Sequence, residues 1–105
     1  MFYAMNRFVV HPGQVEAFER RWREREVHIS TLPGFVAFNL LRGPAKDGGV
    51  VYLSHTLWHD RADFEAWTKS EAFRAAHRDA GDGAKLTLGP PVFEGFESVM
   101  ETLPA

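Results

Sequence analysis

Three side chains sit where the apolar pattern calls for a hydrophobic residue. Asn6 lies among Ala4, Phe8 and Val10 on one face of an extended run, so its amide must find partners if it is covered. An amide in that position either bonds to backbone or faces a ligand. Arg25 falls on the stripe Val15, Phe18, Trp22, Arg25, Ile29, with Arg21 one turn before it. A guanidinium at a core edge suits a carboxylate, although four arginines between 20 and 25 also fit a solvated face with snorkelling side chains. His77 closes the segment from Phe64. Phe64 and Trp67 share a face by i,i+3 spacing, and Phe73 and His77 share one by i,i+4. On one straight helix Trp67 and His77 would point about 80° apart, whereas a break at Ser70 lets them converge. Small Ala75 and Ala76 leave room beside His77 for a large flat ligand. A histidine on an apolar face is also a common core or surface residue. His11 and His28 read as exposed, and His55 and His59 as belonging to the opposite sheet face.

Composition narrows the chemistry. The 105 residues suit one domain over 1–105, and 45% hydrophobic content argues against disorder. A net charge of −2 without basic runs gives no footprint for nucleic acid or a membrane surface. With no cysteine, thiol catalysis, thiolate metal sites and disulfides are excluded. Phosphate loops, nucleophile elbows and His/carboxylate metalloenzyme spacings are absent from the sequence. No apolar run approaches the roughly 20 residues of a membrane span, and the opening residues do not read as a signal peptide, so a cytoplasmic location is expected. Nine Phe, three Trp and two Tyr are many for one small core, so some should line a site or an interface.

The elements that must position these groups read as strand 2–10, helix 14–30, strand 35–42, a hairpin loop Gly43 to Gly49, and strand 50–59. A helix follows over 62–68, with Asp60 or Asp63 as N-cap. Ser70 caps a second piece running to His77 or Arg78, a loop spans 79–91, and the last strand covers 92–100. The order βαββαβ is an α+β, ferredoxin-like pattern with a split second helix. The face carrying Tyr3, Met5, Val9, Val51, Leu53, His55 and Leu57 is too apolar to stay wet, which predicts a homodimer through sheet faces.

Asn6, Trp67 and His77, at these intervals, resemble the catalytic trio of the IsdG-type haem-degrading monooxygenases, members of the antibiotic-biosynthesis-monooxygenase (ABM) superfamily. The likeness runs through Asn6-Arg7-Phe8, Pro12-Gly13, Pro33-Gly34-Phe35, Thr56-Leu57-Trp58, Phe64-Glu65-Ala66-Trp67, Ala75-Ala76-His77 and Phe93-Glu94-Gly95-Phe96-Glu97. Pro-Gly-Phe and Trp58 mark only the fold. The loop Gly81 to Pro91 departs from the family pattern. The resemblance implies a dimeric α+β barrel with haem, both cofactor and substrate, held between sheet and helices. It makes His77 the axial ligand of the haem iron, Trp67 the side chain that distorts the porphyrin, and Asn6 a hydrogen-bond donor on the distal side. Arg21 and Arg25 become candidates for the propionates, and Trp22, Thr56 and Phe64 for the pocket lining, with Trp22 standing where Phe is common. It also implies O2 and an external electron donor, hence an unidentified reductase. A cofactor-free quinol or polycyclic-phenol monooxygenase of the same superfamily, which needs no histidine ligand, is the main alternative. A non-catalytic haem-binding protein is the other.

Overall fold

The sheet is built from four antiparallel strands in the order β2-β3-β1-β4, namely β1 (Phe2–Val10), β2 (Phe35–Lys46), β3 (Gly49–Trp58) and β4 (Val92–Glu97). The computed structural model describes residues 1–24, 29–70, 73 and 86–104. α1 (Val15–Glu24) joins β1 to β2, and α2 (Arg61–Thr68) follows β3. Arg25 and His77 lie outside the described residues. Phe18 and Trp22 of α1 pack on Phe8 and Tyr52, while Phe64 and Trp67 of α2 pack on Phe2 and Trp58. All four strand residues point from the same face of the sheet, so both helices cover one side. The chain is thus α+β with ferredoxin-like βαββαβ order, as expected.

Several boundaries differ from the periodic reading. The first helix was expected from 14 to 30. Its entry, Pro12–Gln14, and the segment Ile29–Thr31 are instead 3-10 turns. Proline at the start of the entry turn sits where its missing N–H leaves no bond unmade, and Ile29 is buried in the core with Phe2, Ala4 and Trp58. The hairpin loop expected over Gly43 to Gly49 is far shorter. β2 continues to Lys46, and the turn is Asp47-Gly48, both at positive φ (55° and 82°). That geometry matches the right-handed strand twist, and Gly43-Pro44 are absorbed in a register irregularity between Arg42 and Ala45. β4 stops at Glu97 rather than at 100, where Ser98 takes up the backbone at Met1.

The second helix does break near Ser70. α2 begins on Asp60, whose side chain accepts from the Asp63 N–H at 3.0 Å, and ends at Thr68. The Ser70 hydroxyl donates to the Trp67 carbonyl (2.6 Å) and accepts from the Phe73 N–H (3.1 Å), so it closes one helix and caps the next turn. The expected second piece running to His77 or Arg78 otherwise lies outside the described residues.

α2 is docked by a close approach at Gly34. This residue has φ +80°, and a Cβ there would lie 2.1 Å from Asp63 Oδ2. Its carbonyl accepts from the His59 N–H at 2.7 Å. We expect Gly34→Ala to cost about 2 kcal/mol, from left-handed strain plus displacement of Asp63. Urea unfolding monitored by Trp fluorescence checks this, and a change within ~0.5 kcal/mol would contradict it.

Among the described residues no helix is long and apolar enough to cross a membrane. The sheet face away from the helices carries Tyr3, Met5 and Val9 on β1 beside Leu57, His55 and Val51 on β3. Leu41, Val92 and Phe96 on the outer strands are 46%, 58% and 50% exposed, which leaves that face broadly apolar. The His55 imidazole lies there against Tyr3, with its Nδ1 buried and unbonded among the described residues.

Candidate active site

The register sorts the helix-facing side into rows across the sheet. Phe35, Trp58, Phe2 and Glu97 form one row, and Phe38, Thr56, Ala4 and Gly95 the next. Leu40, Ser54, Asn6 and Phe93 form the third, and Arg42, Tyr52 and Phe8 the fourth. The outer rows are bulky and the middle two hold small or polar residues on the central strands. The core divides accordingly. Phe2, Ala4, Ile29 and Trp58 form one buried cluster with Phe64 and Trp67 against it. Val10, Phe18 and Tyr52 form the other, with Phe8, Trp22 and Leu40 against it. Asn6 and Ser54 lie between the two clusters, on the floor of the space the helices flank.

One wall is α2. Trp67 stacks on Trp58, with centroids 5.5 Å apart and planes 29° apart, and meets Phe73 edge-on at 4.9 Å. Phe64 packs on Phe2 at 5.1 Å and lies flat on Phe93 at 5.6 Å. The facing wall is α1, where Trp22 stacks on Phe38 at 5.7 Å. Arg21 is half-buried on the same helix. Thr56 is buried, and its hydroxyl donates weakly to the Ala4 carbonyl at 3.4 Å. The structure therefore brings Asn6, Trp22, Thr56, Phe64 and Trp67 to one side of the sheet. A depression lined by Arg7, Val9, Leu88 and Val92 opens on the opposite face and has no share in this arrangement.

A polar tie to the sheet fixes α1. The Glu19 carboxylate accepts a short hydrogen bond from the buried Tyr52 hydroxyl and pairs with Arg42 (3.1 Å) and Arg23 (3.0 Å). The Tyr52 hydrogen bond, with Arg42 and Arg23, holds the Glu19 carboxyl below its usual range against the opposing effect of burial. Burial, and then Glu19, push the Tyr52 hydroxyl up to about 12. The lowered carboxylate stabilises the fold above the ordinary carboxylate pKa and loses that contribution as pH falls through its folded value. The raised phenol contributes below its ordinary value and loses it as pH rises toward about 12. Tyr52→Phe should lower the thermal midpoint by a few degrees near neutral pH. The deficit should shrink as pH falls through the lowered folded pKa of Glu19, beneath which the carboxyl is neutral in either state. A pH series of melting curves checks this, and a deficit independent of pH would contradict it.

The sequence profile of the family described as "Antibiotic biosynthesis monooxygenase" matches residues 1–79, a span containing every candidate residue named above. The chain belongs to the antibiotic biosynthesis monooxygenase family. This ABM domain is 35% identical over 90 residues to a "Heme-degrading monooxygenase" of Shouchella clausii, covering 85% of this chain and 82% of that protein. It is 33% identical over 79 residues, 75% of each chain, to "Heme oxygenase (staphylobilin-producing)" of Staphylococcus haemolyticus. Among solved structures it is similar to the heme-degrader MhuD from Mycobacterium tuberculosis, which has two hemes bound in its active site. That match has TM-score 0.72 and 30% identity, over 97% of this chain and 99% of that one. It is also similar to SnoaB, a cofactor-independent oxygenase from Streptomyces nogalater, with TM-score 0.70 and 27% identity over 99% and 97% of the two chains.

The sequence pattern did not single out Ser54, which lies on the same floor as Asn6. The signal was present, because Ser54 and Thr56 interrupt the apolar face of β3 in phase with Tyr52 and Trp58. Only pairing with β1 reveals that Ser54 stands opposite Asn6.

Proposed function

We propose that this chain is a haem-degrading monooxygenase that takes haem as substrate, opens the porphyrin ring with O2 and external electrons, and releases the iron. The observation that carries the reading is the common side of the sheet on which Asn6 and Trp67 stand, with aromatic walls on both flanks and a polar floor between. A flat macrocycle with a polar centre suits that arrangement better than a small polar substrate does. The heme-degrading relatives, which match across most of their length, supply the substrate class.

Bound haem supplies both the iron centre and the ring that is oxidised. His77 would hold the iron through a neutral imidazole nitrogen. The Asn6 amide N–H would donate toward the group on the distal side. Trp67, backed by Trp58, would press against the ring, and Trp22, Thr56 and Phe64 would line the pocket. Arg21 and Arg25 would neutralise the propionates. The outer sheet face would meet a second copy in a homodimer, and a separate reductase would deliver electrons, in the cytoplasm.

Haemin titration tests the binding half of this reading. The protein should generate a Soret band distinct from that of free haemin and saturate near one haem per chain. An unchanged haemin spectrum would favour the cofactor-free oxygenase reading, which the likeness to SnoaB supports. A stable haem complex under reductant and air would favour a haem-binding protein instead.

A further inference from the structure

Ser54 is only 6% exposed, yet among the described residues its hydroxyl takes part in no hydrogen bond. It stands directly opposite Asn6 on the neighbouring strand, which places the two side chains side by side on the helix-facing surface. The Asn6 amide also has no hydrogen-bond partner among the described residues. The rest of the row offers none, since Leu40 and Phe93 flank the pair. Thr56, two residues along, settles its hydroxyl on the Ala4 carbonyl, and Ser54 has no comparable bond. A central strand favours branched or aromatic side chains, so a small hydroxyl at this position is out of pattern. Two adjacent polar groups left open between two aromatic clusters point to a ligand atom that bonds both.

We propose that the Ser54 hydroxyl is a second ligand-facing hydrogen-bonding group of the site, set beside Asn6 to donate to the polar group held at the iron. This rests on the haem reading. It gives the distal side two donors from two strands, so the orientation of a bound anion is fixed by a pair of contacts.

The test is azide binding to the ferric haem complex, read from the Soret shift, in the full chain. Ser54→Val and Ser54→Thr have nearly the same shape and differ in the hydroxyl. Ser54→Val and Ser54→Ala should weaken azide binding about five- to tenfold, while haemin binding stays within about twofold of wild type. Ser54→Thr should retain wild-type azide affinity within about twofold. Equal azide affinity in the Val and Thr variants, whether both normal or both weakened, would overturn the proposal, because the hydroxyl would then be irrelevant. Wild-type protein that forms no haemin complex would overturn the haem reading, and this inference would fall with it.

Discussion

His77→Ala is expected to weaken haemin binding by about 10- to 100-fold, or to shift the Soret band to that of a differently ligated iron. Loss of an axial ligand removes at least what loss of a residue supporting a metal ligand does. The expectation comes from the likeness of Asn6, Trp67 and His77 to the haem-degrading trio and from the break at Ser70. That break is set by the Ser70 bonds to Trp67 and Phe73. Binding should be followed beside far-ultraviolet circular dichroism, so that lost folding is told apart from lost ligation. An Ala variant with wild-type affinity and spectrum would remove His77 from the iron.

The second large effect is on turnover. Asn6→Ala should leave haemin affinity within a few fold of wild type but slow haem loss under reductant by about 100-fold, the usual cost of deleting one positioned donor. Asn6 faces the helices between Ala4 and Phe8 and is only half-buried, so truncation should disturb packing little. Single-turnover decay of the Soret band measures the rate, and a haemin titration measures the affinity. Equal loss of both would make Asn6 a structural amide.

The fold was legible because its signals are local. The alternation in β1 and β3 and the spacing of Phe18 and Trp22 gave the order and the buried face of each element. Asp60 and Ser70 marked helix ends through their own hydrogen bonds. What the pattern hid depends on pairing across the chain. Asp47-Gly48 closes the β2–β3 hairpin, so Gly43 to Lys46 extend a strand instead of forming the broad loop their glycine and proline suggest. Nothing local marks Glu19 on its charged helix, yet Tyr52 and Arg42, far away in sequence, draw it into a tie. Ser54 gained meaning only when the β1–β3 register set it against Asn6. Of the candidate residues, Asn6, Trp22, Thr56, Phe64 and Trp67 stand on one side of the sheet. Arg25 and His77 fall outside the described residues, and their roles stand as part of the proposal.

The account turns on whether this chain consumes haem. The direct measurement loads the protein with haemin, adds a reductant in air, and follows the Soret band together with chelatable iron. The account predicts that the band is lost and that iron appears in step, near one iron per haem. A Soret band that persists through many equivalents of reductant, with no iron released, would contradict it.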